Sequence, residues 1–280
     1  MKIHHLNCGS VREIERTYEG PAAAHAVNHC LLLETDGDGL VLVETGLGLV
    51  DIADPDGVLG AGWVKASQPV LAEQETAIRQ VEGLGFGAGD VRHIFLSHLD
   101  VDHCGGLPDF PEAQVHLLRA ELEAALAQAP SARYRPAHWE HGPKWVQYAP
   151  EANDQWFGFS AQQAEGLSEE ILMVPLGGHT EGHTGIAVRD GDDWLLHCGD
   201  AYYYHRELDD EPEPHPLLNW VQTTYETHHD LRLGTQARLR ELVRAHGDQV
   251  TLIAAHDPWE FARLQQLQQP RGSERRVAKI

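Results

Sequence analysis

Residues 97–106 read Ser-His-Leu-Asp-Val-Asp-His-Cys-Gly-Gly, and four of them, His98, Asp100, Asp102 and His103, carry cation-binding side chains. Imidazole mixed with carboxylate suits zinc, iron or manganese. A lone histidine is more often a solvated or hydrogen-bonded residue, but four such groups within six positions point to a metal centre. Two familiar alternatives fail. Asp100, Asp102 and Gly105 match positions 1, 3 and 6 of an EF-hand loop, yet position 12 is Pro111 instead of Glu. The His-Glu-x-x-His helix of zincin proteases is absent.

Elements must hold these groups in place. Ile94-Phe95-Leu96, directly ahead of His98, is a short β-branched and aromatic run that reads as a buried strand. If the chain stays extended beyond it, side chains at i, i+2 and i+4 share one side. His98, Asp100 and Asp102 then project together and His103 turns the other way. Three later strand ends deliver further candidates: His179 and His183 after 171–176, Asp200 after the strand pair 185–189 and 194–197, and His256 after 250–255. An earlier hairpin, 25–34 with 39–45, turns at Asp36-Gly37-Asp38-Gly39. Helical patterns cover 71–84, 119–129 and 231–246. The Gly-, Pro- and Asp-rich stretch 51–70 reads as a surface loop, and 270–280 as a frayed end.

The whole chain, 1–280, reads as a single domain, since no Pro- or Ser-rich linker divides it. Within it, 131–165 reads as an aromatic-rich insertion that either lines a pocket or packs onto the core. Residues 202–230, with the acidic, proline-rich run 207–216, read as a loop or lid. A hydrophobic content of 42% is ordinary for a soluble enzyme. No run of eighteen apolar residues exists, so no membrane span is expected. The start lacks the apolar core of a signal peptide, and the four scattered cysteines suggest reduced thiols, so a cytoplasmic location is expected. Twenty-one Lys and Arg against 43 Asp and Glu leave a net charge of −22. That field repels phosphate backbones and anionic membranes, which argues against nucleic-acid or membrane partners.

The opening motif resembles the His-x-His-x-Asp-His signature of the metallo-β-lactamase superfamily, including the Gly-Gly that follows it. It departs at Asp100, where most members carry His; flavodiiron members carry Glu there. Gly178-His179-Thr180-Glu181-Gly182-His183, Gly199-Asp200 and His256 resemble the family's later segments in the same order. Glu44-Thr45-Gly46 resembles its Asp-Thr-Gly segment, and is read either as support beneath the metals or as a plain turn. The resemblance implies an αββα sandwich of two mixed sheets flanked by helices. It also implies two divalent metal ions, zinc first, with manganese or iron made more plausible by Asp100. On that basis His98, Asp100 and His179 hold one ion, Asp102, His103 and His256 hold the other, and Asp200 bridges them. His183 supports the centre from behind.

The implied activity is hydrolysis of a small-molecule substrate, a lactone or ester, by a metal-activated water, with Asp102 handling a proton. Lactonases that resemble this scaffold place a tyrosine three residues after the bridging Asp, and Tyr203 has that spacing. A glyoxalase II-like thioester hydrolase is the nearest alternative. From other classes come a nonheme iron oxygenase or redox protein, suggested by Asp100, and a non-enzymatic metal-binding sensor.

Overall fold

The computed structural model describes residues 1–14, 24–149, 154–168 and 170–268. The stretch 270–280 lies outside them. In chain order the first strands are β1 (Lys2–Asn7), β2 (Glu13–Ile14), β3 (Ala24–His25), β4 (His29–Glu34), β5 (Leu40–Val43), β6 (Val91–Phe95), β7 (Gln114–Leu118) and β8 (Lys144–Tyr148). They continue as β9 (Asp154–Trp156), β10 (Phe159–Gln163), β11 (Ile171–Pro175), β12 (Thr184–Asp190), β13 (Asp193–His197) and β14 (Val250–Ile253). The α-helices are α1 (Leu49–Ala53), α2 (Ala61–Ser67), α3 (Ala77–Gly83), α4 (Val101–Cys104), α5 (Arg119–Gln128), α6 (Pro216–Tyr225), α7 (His229–His246) and α8 (Pro258–Gln268).

The strands form two six-stranded sheets, β1-β4-β5-β6-β7-β8 and β14-β13-β12-β11-β10-β9, plus the small β2-β3 ribbon. Both large sheets are mixed. The first is antiparallel from β1 to β5 and parallel from β5 to β8. The second is antiparallel except for the parallel pair β13-β14.

Alternation along each strand explains how they stack. Leu31, Leu33, Val41, Val43 and Phe95 meet Ile171, Met173, Ile186, Val188 and Leu195 in a core between the sheets. The intervening residues Cys30, Leu32, Leu42 and Ile94 face outward onto Ile78 and Val81 of α3 and Leu122 of α5. On the far side, Val174, Leu196 and Leu252 pack on Leu239 and Leu242 of α7. Strands covered on both faces read as unbroken apolar runs, which is why Cys30-Leu31-Leu32-Leu33 shows no alternation in sequence. Each such leucine contributes about 1.5–3 kcal/mol. The result is the αββα sandwich. No helix among the described residues is long and apolar enough to cross a membrane.

Four stretches differ from expectation. Residues 51–70 are largely helical, in α1, a π-turn at Asp56–Gly60, and α2. The turn-forming residues mark breaks between helices, with Gly60 at φ 89 starting α2. The segment 131–165 runs from one sheet to the other, supplying β8 to the first and β9 and β10 to the second. Its rings are core residues: Tyr148, Trp156 and Phe159 are buried in the packed layers. Part of the stretch expected to be a lid, 216–225, is the helix α6, with Pro216 at its first turn, where a missing N–H is harmless. In the helical pattern 71–84, Leu71 takes a positive φ of 55 and the α-helix begins only at Ala77.

Buried histidines should make the fold acid-sensitive. His93 Nδ1 lies 2.9 Å from His116 Nε2, and His116 Nδ1 lies 2.7 Å from the Tyr148 hydroxyl. Burial first, and then neighbouring His93, push the pKa of His116 from 6.5 down to about 3. The folded chain keeps it neutral, whereas the unfolded chain takes up a proton below pH 6.5. Its stabilising effect is thus complete above that pH and is lost as the pH falls toward the folded value, by at most about 1.4 kcal/mol per pH unit. Urea midpoints followed from about pH 7 to about pH 4.5 should fall, and less steeply in His116→Gln. Parallel slopes would place the acid sensitivity elsewhere.

Candidate metal centre

Ser97 to Leu99 continue from β6, but the extended chain ends at Asp100. There α4 starts: the amides of His103 and Cys104 donate to the Asp100 carbonyl at 3.0 and 3.1 Å. The turn is possible because Gly105 lies against the Gly46–Gly48 strand exit, where a Cβ on Gly48 would meet the Gly105 carbonyl oxygen at 2.2 Å. The helical turn corrects the expectation that His103 points away. Its ring lies 4.0 Å from that of His98, and its Nε2 is 3.2 Å from Asp200 Oδ1.

The second sheet supplies the remaining groups: His179 follows β11, Asp200 follows β13, and His256 follows β14. Two sets of ligand atoms result, one from His98, His179 and Asp200, the other from Asp102, His103 and His256, each within 4.8 Å. Asp200 faces both. Its Oδ1 is 3.2 Å from the Nε2 atoms of His103 and His256, while Oδ2 is 3.3 Å from that of His179 and 3.9 Å from that of His98. Asp100 Oδ2 lies 3.2 Å from His179 Nε2 and 3.5 Å from His98 Nε2. Asp102 Oδ2 is 3.9 Å from His256 Nε2. Cys104 and Cys198 are buried and turn to backbone carbonyls, of Leu99 and Leu196 respectively, so neither joins the cluster.

The histidines are aimed by groups behind them. His103 Nδ1 donates to Glu44 Oε2 at 3.1 Å and His256 Nδ1 to the Val27 carbonyl at 2.9 Å, leaving both Nε2 atoms free to face the cluster. Glu44, in a left-handed conformation (φ 64), also takes the Ser97 amide at 2.7 Å. Of the two readings of Glu44-Thr45-Gly46, the geometry matches support beneath the centre. His183 Nδ1 donates to the Leu176 carbonyl at 2.7 Å, and its Nε2 accepts the Asp200 amide at 2.9 Å.

One supporting residue, Glu121 in the first turn of α5, escaped sequence reasoning. Its fully buried carboxylate accepts the Leu99 amide at 3.0 Å and the Tyr134 hydroxyl at 3.1 Å on one oxygen. The other takes the Thr180 hydroxyl at 2.6 Å and the Gly182 amide at 3.1 Å. It joins the loop carrying His98 and Asp100 to the loop carrying His179. Gly182 permits the approach, since a Cβ there would meet the Glu121 amide nitrogen at 2.2 Å.

Charges in the cluster are strongly displaced. Burial would raise the Asp200 carboxyl, but His256, His103 and His179 hold it well below the usual range. Burial would lower His103, but Asp200 and Glu44 hold it well above. Burial, with Asp200 beside it, pushes the Tyr203 phenol well up, and that hydroxyl donates to Asp200 Oδ2 at 2.5 Å. His98 Nε2, His103 Nε2 and Asp200 Oδ1 are buried without a hydrogen-bond partner among the described residues. Partnerless imidazole nitrogens and a carboxylate oxygen converging in this way fit a bound cation, which would take the place of any proton and satisfy them together.

A cavity of about 550 Å³ opens onto Asp100, Asp102, Asp200, Tyr203 and His256. Its apolar wall comes from Trp63 of α2 and from Leu218, Trp220, Val221 and Tyr225 of α6. The segment 131–165, read as either lining a pocket or packing onto the core, gives the cavity Ser131, Ala132, Arg133 and Arg135 and none of its aromatic rings.

The family model of the metallo-beta-lactamase superfamily matches residues 26–250. A probable metallo-hydrolase of Mycobacterium tuberculosis is 40% identical over 92% of this chain and 81% of its own length. An N-acyl homoserine lactonase of Bacillus thuringiensis is 32% identical over 77% of this chain and 76% of its own. Among solved structures, an N-acyl homoserine lactone hydrolase with bound N-hexanoyl-L-homoserine superposes with a TM-score of 0.69 at 20% identity, covering 93% of this chain and 95% of that one. The chain belongs to the metallo-β-lactamase superfamily. It is, more narrowly, a metal-dependent hydrolase.

Glu121 offers a test of the scaffold. Glu121→Ala strands four donors in a dry interior and should cost about 3–5 kcal/mol of stability. It should also lower the metal content of purified protein, because both ligand loops lose their tie. Stability lost with full metal content would confine Glu121 to the core.

Proposed function

We propose that this chain is a dinuclear metallohydrolase that opens a small lactone or ester carrying an apolar acyl group. The observation that carries the dinuclear reading is Asp200, whose two carboxylate oxygens face opposite ligand sets. His98, Asp100 and His179 with Oδ2 would hold one ion, and Asp102, His103 and His256 with Oδ1 the other. Four imidazoles among the ligands favour zinc, and the carboxylates also admit manganese or iron. Bound there, such a pair supplies a water activated near neutral pH and Lewis-acid polarisation of a carbonyl.

The chain's own groups do the rest. Trp63, Leu218 and Val221 would hold the acyl part and exclude water, within a cavity of the size that suits a small molecule. Asp102, at the cavity floor, accepts the proton released by the attacking water and returns it to the departing oxygen. Tyr203 donates to Asp200 at rest, and its hydroxyl borders the cavity. As negative charge develops on the carbonyl oxygen, that donor turns to it. The N-acyl homoserine lactonases, 26–32% identical to this chain, support a lactone as the substrate.

Metal-replete protein should carry close to two equivalents by elemental analysis, and Asp200→Ala should lose metal and turnover together. Full activity in that variant would overturn the bridging role. Tyr203→Phe should keep its metal and lower kcat about ten- to thousandfold on a lactone panel. Tyr202, whose hydroxyl faces Glu260 at 3.2 Å, serves as the control. Equal losses in Tyr202→Phe would reduce the effect to packing.

A further inference from the structure

Arg133 stands where the metal centre meets the cavity wall, and nothing in its sequence setting draws attention to it. Its Nη1 lies 3.0 Å from Asp100 Oδ1 and 3.3 Å from His179 Nε2, and its Nη2 donates to the Tyr225 carbonyl at the end of α6. The adjoining Tyr134 is anchored on Glu121, so a fixed backbone delivers the guanidinium to this place. Among the described residues, no hydrogen bond or ion pair joins an arginine or lysine to Asp102, His103 or His256. The guanidinium, a charge that no deprotonation removes, therefore lies on one side of Asp200, whereas the histidines on the other side shed any proton on binding a cation.

Two consequences follow. A lone pair on His179 Nε2 serves a guanidinium N–H or a cation, not both. Asp100 also brings a negative charge to a place where an imidazole would be neutral, and Arg133 brings a positive one beside it. The two together carry the charge of one neutral imidazole, so the carboxylate's gain in cation affinity is offset by the guanidinium's repulsion.

We propose that Arg133 is a resident competitor for the cation position formed by His98, Asp100, His179 and Asp200, and makes the two positions unequal. The first cation goes to Asp102, His103 and His256. The second must displace the guanidinium from Asp100 and His179. This inference rests on the dinuclear reading above and deepens it by assigning an order of loading and the residue that sets it.

Zinc titration of metal-free protein by calorimetry, with a competing chelator, reads the two steps without recourse to activity. The wild-type chain should show steps separated by at least about tenfold. Arg133→Gln should tighten the weaker step about ten- to thousandfold and leave the stronger one nearly unmoved. Arg133→Lys, which keeps the charge, should stay close to wild type. Asp100→His leaves the guanidinium uncompensated and should weaken the second step, the opposite sign, while Asp100→His/Arg133→Gln should restore it. Thermal unfolding of each metal-free variant checks that it folds, and the Asp100→His arm decides the matter if Arg133→Gln does not. Two clear steps in the wild type that are unchanged in Arg133→Gln, or tightened equally, would overturn the inference and leave the dinuclear reading intact. A single equivalent in wild type and Arg133→Gln alike would overturn both.

Discussion

Three aspartates and four histidines face one another across a few ångströms at the rim of two packed sheets, and the carboxylates among them repel unless positive charge lies between. That repulsion is the constraint the scaffold is built against. Each ligand-bearing loop is tied from behind by a group outside the two ligand sets. Glu44 holds His103 and the Ser97 amide, Glu121 holds the Leu99 and Gly182 amides, and His183 holds the Asp200 amide. Such ties keep the loops from relaxing apart, and so preserve the geometry that favours a cation over two protons.

Much of the architecture was legible because each chemical group stands at the end of an apolar run. Val91–Phe95, Ile171–Pro175, Asp193–His197 and Val250–Ile253 are strands, and the next residues carry His98, His179, Asp200 and His256. A run ending in a cation-binding residue announces both the strand and where its chain is exposed to chemistry. The seven candidates do converge. What the sequence hid was local and conformational. Period-two reasoning sent His103 the wrong way because nothing in Val-Asp-His-Cys distinguishes a continuing strand from a single helical turn. Glu121 was invisible because its partners lie 13, 22 and about 60 residues distant along the chain.

The cavity wall was the least legible part, for a different reason. It is made by α2 and α6, which carry turn-forming Gly and Pro residues close by and expose part of their apolar surface. Trp220 is 60% exposed, so its apolar bulk does not signal a core position. The sheets are specified by burial on both faces, whereas these helices are specified by one. The ligand-bearing strand ends and the cavity wall thus lie in different parts of the chain.

His98, Asp100, Asp102 and His103 hang from the first sheet, and His179, Asp200 and His256 from the second. Beside the Glu121 tie at the rim, the interlocked side chains between the sheets set the separation of these two sets. Ile186, Met173 and Phe95 therefore act as a gauge block, setting from the middle of the molecule the gap at its rim. A methyl group there belongs to the coordination geometry as surely as an imidazole does, although it never meets a metal ion.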